Sequence, residues 1–176
     1  AMGACVGTCY QNPMQAGEQL GKMQEAKEDV GMEMMMPGGG SSPLLHATAM
    51  YFAKDGGNVI SADPSYEDVP QWAKKVGAKW IKVPLTPDYR MDLPAMENAV
   101  NSQTKLVNIC NPNNPTGTAV DTAALKDFCE RVSKKCTVFV DEAYIDYLGN
   151  VKEHTVLDCV KKGQNVIVAR TLSKLY

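Results

Sequence analysis

The sequence predicts a three-layer α/β/α domain built on a mostly parallel sheet. Three observations point there. From about residue 57 onward, short β-branched apolar runs alternate with helical segments. The runs are apolar nearly throughout, as strands covered on both faces are. A length of 176 residues with 44% apolar content is about one domain with a real core, given roughly 100–200 residues per domain.

Taken in order, "NVISA" (58–62) reads as a strand, and "YEDVPQWAKKVG" (66–77) as a helix broken or started by Pro70. "WIKVPL" (80–85) is strand-like, and "LPAMENAVN" (93–101) is helical with proline in its first turn. "KLVNIC" (105–110) is a strand. Asp121 then caps "TAALKDFCERVSKK", which places Leu125, Phe128, Cys129 and Val132 on one face. Lys134 and Lys135 close that helix, where the backbone dipole favours cations. "TVFVD" (137–141) is a strand, "HTVLDCVKKG" (154–163) a helix starting at His154 and ending in Gly163, and "NVIVAR" (165–170) a strand. Residues 1–15 give no signal, and "AGEQLGKMQEAKEDV" (16–30) reads as helical. The biased stretch "MEMMMPGGGSS" reads as core filler followed by a turn.

Several function classes fall away on bulk properties. Net charge is −2 with scattered Lys and Arg, which does not suit nucleic acid or an anionic membrane as partner. No apolar run approaches the ~18 residues needed to cross a bilayer. The N-terminus lacks the basic region and apolar stretch of a signal peptide. A cytoplasmic location is the default expectation, although residue 1 is not Met and further residues can precede it. The six cysteines are spread out and read as free thiols, four of them in or beside core elements. Cys5 and Cys9 could share a metal on a helix, but nothing completes a ligand set.

In an open α/β sheet, ligands bind outside the carboxyl ends of the strands. "KLVNIC" is followed by "NPNNPTG", "TVFV" by "DEAY", "NVIVA" by "RTLSK" and "NVISA" by "DPSY". Neighbouring edges therefore offer Asn114, Asp141 with Tyr144, Lys174 with Ser173 and Thr171, and Tyr66. A further helix opens at "GGGSSPLLHATAMYFAK", with Ser42 as its cap and Pro43 in its first turn, and such a start is an anion cradle. A strand-end lysine could bind that anion or form a Schiff base with a carbonyl. Asp141 ends a strong β run, and a buried carboxylate there needs a partner such as a protonated ring nitrogen. Pyridoxal 5'-phosphate (PLP) complements all three features: a phosphate, an aldehyde and a pyridine nitrogen.

"NPNNPTG", "VDEAYIDY" and "RTLSKLY", in this order and spacing, resemble the class I/II PLP-dependent aminotransferases, and most of all their histidinol-phosphate aminotransferase-like branch. Each motif alone is weak; together, over about residue 20 to the end, they are specific. The resemblance implies a PLP-dependent transferase-like large domain over residues 1–176, incomplete, transferring an amino group between an amino acid and a 2-oxo acid. It implies Lys174 as the PLP tether and proton carrier and Asp141 as partner of the ring nitrogen. Asn114 and Tyr144 would bond the phenolic oxygen, and Tyr66 would stack on the ring. Gly40, Ser41, Ser42, Thr171 and Ser173 would hold the phosphate, and Tyr10 would reach a partner subunit's phosphate in a homodimer.

In that family the chain continues past the lysine with a Gly-rich loop carrying an arginine, another strand and a small domain whose arginine grips the substrate. Arg90, Arg131 and Arg170, the only arginines, match neither position. The chain accordingly reads as the central part of a longer enzyme, lacking the small C-terminal domain and the N-terminal arm and catalytically poor in isolation. Pro43 stands where the family commonly has a polar or acidic residue. A PLP-dependent decarboxylase or lyase would use the same residues, and a non-catalytic PLP-binding module is the third reading. His46 reads as a packed or surface residue without a catalytic role.

Overall fold

A computed structural model describes residues 4–7 and 34–174 of the chain. Seven strands form one sheet: β1 (Ala4–Gly7), β2 (Met35–Gly38), β3 (Asn58–Asp63), β4 (Lys79–Pro84), β5 (Thr104–Cys110), β6 (Thr137–Asp141) and β7 (Val166–Thr171). Their order is β2-β1-β7-β6-β5-β3-β4, and every pairing is parallel. The helices are α1 (Ser41–Ala53), α2 (Asp68–Lys75), α3 (Leu93–Asn98), α4 (Thr122–Val132), α5 (Val151–His154) and α6 (Leu157–Lys161), with a 3-10 turn at Ile145–Leu148. β5 lies on the opposite side of β3 from β4. The chain thus reverses its direction of travel across the sheet here, and strand ends diverge to leave a crevice at such a point.

The period-two alternation of strands sorts the core into two layers. Val138 and Val140, Val166 and Val168, and Val107 and Ile109 face one side, where they pack with residues of α3, α4 and α6. Phe139, Ile167, Leu106 and Val59 face the other, against Leu45, Ala49 and Ala53 of α1 and Val69 and Ala73 of α2. This is the three-layer arrangement that the apolar runs imply. In α4 the buried residues are Leu125, Phe128, Cys129 and Val132, the predicted stripe, and Asp121 accepts from the Ala124 N–H at 2.9 Å as its cap. Asp92 does the same for α3 through the Ala95 N–H. Pro70 is the third residue of α2, where an N–H would have no intrahelical acceptor.

Four local expectations change. Residues 4–7 and 35–38 form strands, for which "ACVG" and "MMPG" carry little β-branched signal. Pairing across the sheet decides them, and Pro37 sits on the edge strand, where a missing donor is tolerated. Cys5 is therefore on a strand, which removes the helical spacing invoked for a metal shared with Cys9; Cys9 and the 16–30 helix lie outside the described residues. Of the Met run, Met34 and Met35 pack against the core while Met36 is exposed. Gly40, not Ser42, is the N-cap of α1: its φ of 118° and ψ of 165° turn the chain sharply, and no side chain caps the helix. Ser41, Ser42 and Pro43 occupy the first turn.

The predicted 154–163 helix is split, and His154 ends one piece instead of starting the helix. A buried carboxylate causes the break. The Val156 N–H donates to Glu142 Oε1 at 2.9 Å, and the Thr155 hydroxyl donates to Glu142 Oε2 at 2.9 Å. Thr155 is extended to do so, and its Oγ1 accepts from the Leu157 N–H as the next helix begins. Arg170, from the adjacent strand, completes the cluster: its Nε donates to Glu142 Oε2 at 2.9 Å, and its Nη2 lies 2.9 Å from the same oxygen. Burial pushes the Glu142 carboxyl upward; Arg170 is the strongest of the groups that oppose this.

Removing one partner leaves a buried charge without its counter-ion. Arg170→Met is expected to lose about 3–5 kcal/mol of stability in urea denaturation, and Arg170→Met with Glu142→Leu to regain most of it. A single variant within about 1 kcal/mol of the parent would contradict this role for the pair.

Candidate active site

At the carboxyl ends of the strands lies a cavity of about 330 Å³. That volume is near the lower end of small-molecule sites, roughly 300–1,000 Å³. Five sequence segments meet in it, the first four being residues 39–43 from the start of α1, Tyr66 after β3, Asn114 after β5, and Asp141 at the end of β6 with Ala143 and Tyr144 beyond it. Ser173 and Lys174, after β7, close the ring, and Leu45 lines its floor.

Pleat alternation aims Asp141. It shares parity with Phe139 and so faces the layer of α1 and α2, whereas the adjacent Glu142 faces the opposite layer and Arg170. Asp141 is 5% exposed. Its Oδ1 accepts from the Ala143 N–H at 3.0 Å, and among the described residues its Oδ2 accepts no hydrogen bond. Burial is the main cause that raises its carboxyl to about 6; the Ala143 N–H and the Lys174 charge oppose the rise, and Glu142 and Asp68 add to it.

Lys174 is the one cation among the cavity-lining residues, and its Nζ stands 5.4 Å from the centroid of the Tyr144 ring. The turn that carries it is held by Thr171, whose Oγ1 accepts from the Ser173 N–H at 3.2 Å and shares a 2.8 Å hydrogen bond with the Ser173 hydroxyl. Thr171 itself is buried and does not line the cavity.

Asn114 owes its place to two other asparagines that sequence reasoning passed over. Buried Asn113 accepts from the Ser65 hydroxyl at 2.7 Å and donates to the Pro64 carbonyl at 3.2 Å and to Thr116 Oγ1 at 2.8 Å. It staples the loop after β5 to the loop after β3. Asn111 Oδ1 accepts from the Val120 N–H, so the loop is pinned at its far end too. The density of turn formers marked a loop; which asparagines point inward was not encoded in any local pattern.

Tyr66 donates to Asp68 Oδ2 at 3.3 Å, and His46 Nε2 lies 3.2 Å from the same oxygen. His46 also packs on Trp72 with ring centroids 4.4 Å apart. Burial is the first cause that raises the Tyr66 phenol, followed by the neighbouring Asp68 carboxylate. His46 is thus a packed residue, as expected, and one that ties α1 to the Tyr66 turn.

Of the residues named from sequence, Gly40, Ser41, Ser42, Tyr66, Asn114, Asp141, Tyr144, Ser173 and Lys174 line one cavity. Tyr10 lies outside the described residues. Gly39, Pro43, Leu45 and Ala143 join the wall without a sequence signal of their own.

The family model for class I and II aminotransferases matches residues 19–176. A histidinol-phosphate aminotransferase of Moorella thermoacetica is 38% identical over 171 residues, which are 97% of this chain and 42% of that protein. An aromatic amino acid aminotransferase of Corynebacterium jeikeium is 39% identical over 147 residues, 84% of this chain and 39% of that one. A solved structure from Erwinia carotovora atroseptica, provisionally named a histidinol-phosphate aminotransferase, has the same fold with a TM-score of 0.80 at 24% identity, covering 93% of this chain and 48% of that one. The chain spans less than half the length of these relatives. With its parallel sheet, its cavity at the strand ends and a family match over most of its length, this chain belongs to the class I and II aminotransferase family.

Proposed function

We propose that the protein carrying this chain transfers an amino group between an amino acid and a 2-oxo acid with the help of PLP. The observation that carries the reading is the meeting of Asp141 and Lys174 in one cavity that also contains the start of α1. The relatives' names favour amino transfer over decarboxylation, and they point to histidinol phosphate or an aromatic amino acid as the amino donor.

The residues present fit that cofactor. The start of α1 has no capping side chain, and first-turn N–H groups lack intrahelical acceptors, so residues 39–42 with Ser173 can receive a phosphate. Asp141 is a buried residue whose carboxylate lines the cavity, and among the described residues only its Oδ1 accepts a hydrogen bond, so a protonated ring nitrogen could pair with it. Asn114 and Tyr144 line the same cavity as Asp141 and Lys174 and would offer polar groups to a phenolic oxygen, and Tyr66 would offer a ring to stack on. When bound, PLP supplies an electron sink for the bond broken at the substrate Cα.

The chain's own residues do the rest. Lys174 would tether the cofactor through its amine, and with that amine free it can take and return a proton within the cavity. Asp141, ionised in the loaded protein, keeps the ring nitrogen's proton in place. Tyr144 presents its ring to the amine, with Nζ 5.4 Å from the ring centroid, and lines the cavity with Leu45 and Ala143.

Two outcomes test this. Incubation with PLP followed by borohydride is expected to fix one cofactor on the peptide containing Lys174, with peptide mass as the readout; Lys174→Ala is expected to lose both the label and 2-oxo acid formation. Label on a different lysine would overturn the assignment. The second concerns pH. Without PLP, a carboxyl raised from 3.8 to about 6 binds its proton more tightly folded than unfolded. Its stabilising contribution is complete below about pH 4 and is lost as pH rises through about 6, a loss of about 3 kcal/mol at pH 7.5. Asp141→Asn is therefore expected to be more stable than the parent at pH 7.5 in the cofactor-free protein, with the gap closing toward pH 4. A difference independent of pH would contradict the burial of an ionisable Asp141.

A further inference from the structure

Among the described residues, the strand ladder that holds β7 ends before the lysine. Its last partners are Asp141 opposite Ala169 on one side and Gly7 opposite Thr171 on the other. Beyond them, Thr171 fixes Ser173 through two hydrogen bonds. Among the described residues, one group from another element hydrogen-bonds the Lys174 backbone: the Tyr147 hydroxyl, which donates to the Lys174 carbonyl at 2.9 Å.

Tyr147 reaches that carbonyl because of the turn it stands on. Ile145–Leu148 is a 3-10 helix, with the Tyr147 N–H donating to the Tyr144 carbonyl at 3.1 Å. Residues three apart eclipse on such a helix. Tyr144 and Tyr147 accordingly project to the same side, with ring centroids 6.2 Å apart and planes at 50°. They bracket the lysine at its two ends: the Tyr144 ring lies near Nζ and the Tyr147 hydroxyl lies at the carbonyl. Tyr147 is 62% exposed, so packing among the described residues does not explain its place.

We propose that Tyr147 is a positioning residue for Lys174: its hydroxyl anchors the Lys174 carbonyl on the turn after β7 and so holds the reactive amine over Tyr144 and into the cavity. This rests on the reading of Lys174 as the cofactor tether. Without the anchor the turn samples orientations in which the amine points away, and attachment slows while affinity for the phosphate cradle is retained. One neutral hydrogen bond is worth about fivefold to tenfold in such an equilibrium.

The test is the rate at which borohydride traps PLP on the Lys174 peptide in the parent, Tyr147→Phe and Tyr147→Leu, across pH 6–9. Thermal unfolding is followed in parallel. Tyr147→Phe keeps the ring and loses only the hydroxyl. The expected result is label on Lys174 in all three, trapped about fivefold to tenfold more slowly in both variants, with unfolding temperatures within about 2 °C of the parent because the side chain is exposed. Trapping at the parent's rate in Tyr147→Phe, with label still on Lys174, overturns this inference and leaves the tether assignment standing. Label on a different lysine in the parent overturns both. Equal slowing across every lysine of the variants, with a lowered unfolding temperature, overturns the positioning role in favour of general loosening.

Discussion

At the end of β6 two neighbouring acids must go to opposite faces of a sheet that is buried on both. The pleat allows nothing else. Glu142 goes to the layer of α3, α4 and α6, where Arg170, Thr155 and the Val156 N–H meet it, and Asp141 goes to the layer of α1. The first carboxylate is satisfied within the protein, and the second has an oxygen left for something else. Much of the local structure follows from the first: the helix break at Thr155 and Val156, and the inward turn of Arg170 at the end of β7. Because Arg170 is fixed on one face, the alternating residues Ala169 and Thr171 are fixed on the other, and the turn bearing Lys174 leaves the sheet on the cavity's side.

The cavity is then a consequence of topology more than of any one motif. The chain reverses between β3 and β5, so the loops after these strands diverge, and Asn113 bridges them by bonding Pro64 and Ser65. α1 reaches the same place because Gly40 adopts a φ closed to other residues, bringing the helix start over the end of β6. A polar staple, a glycine turn and a 3-10 turn each set one wall.

Regular elements were legible in the sequence wherever they carried their own signal. The stripe of Leu125, Phe128, Cys129 and Val132, its Asp121 cap and the strands from β3 to β7 appear within a residue or two of where the pattern places them. β1 and β2 were not legible, because four-residue segments that end in glycine, the second with a proline too, form strands only when neighbours supply the hydrogen bonds. The 154–163 helix was misread for a related reason: nothing in "HTVLDC" reveals that a carboxylate thirteen residues earlier will claim the Thr155 hydroxyl. Ser42 as cap failed on backbone torsion, since Gly40 takes the turn first.

By itself the sequence determined the layered α/β class, the order of the strand-end loops and which polar and charged residues follow each strand. Those follow from local periodicity and from residue chemistry. Tertiary structure alone decided that nine of the residues named from sequence line one cavity while Thr171 stays behind its wall, and that Glu142 belongs to the core while Asp141 belongs to the site. It also decided that Tyr147 meets the lysine's carbonyl. The physical reason is shared: burial, hydrogen-bond partners and the meeting of turns depend on contacts between residues far apart in the chain, and no window of sequence contains both partners.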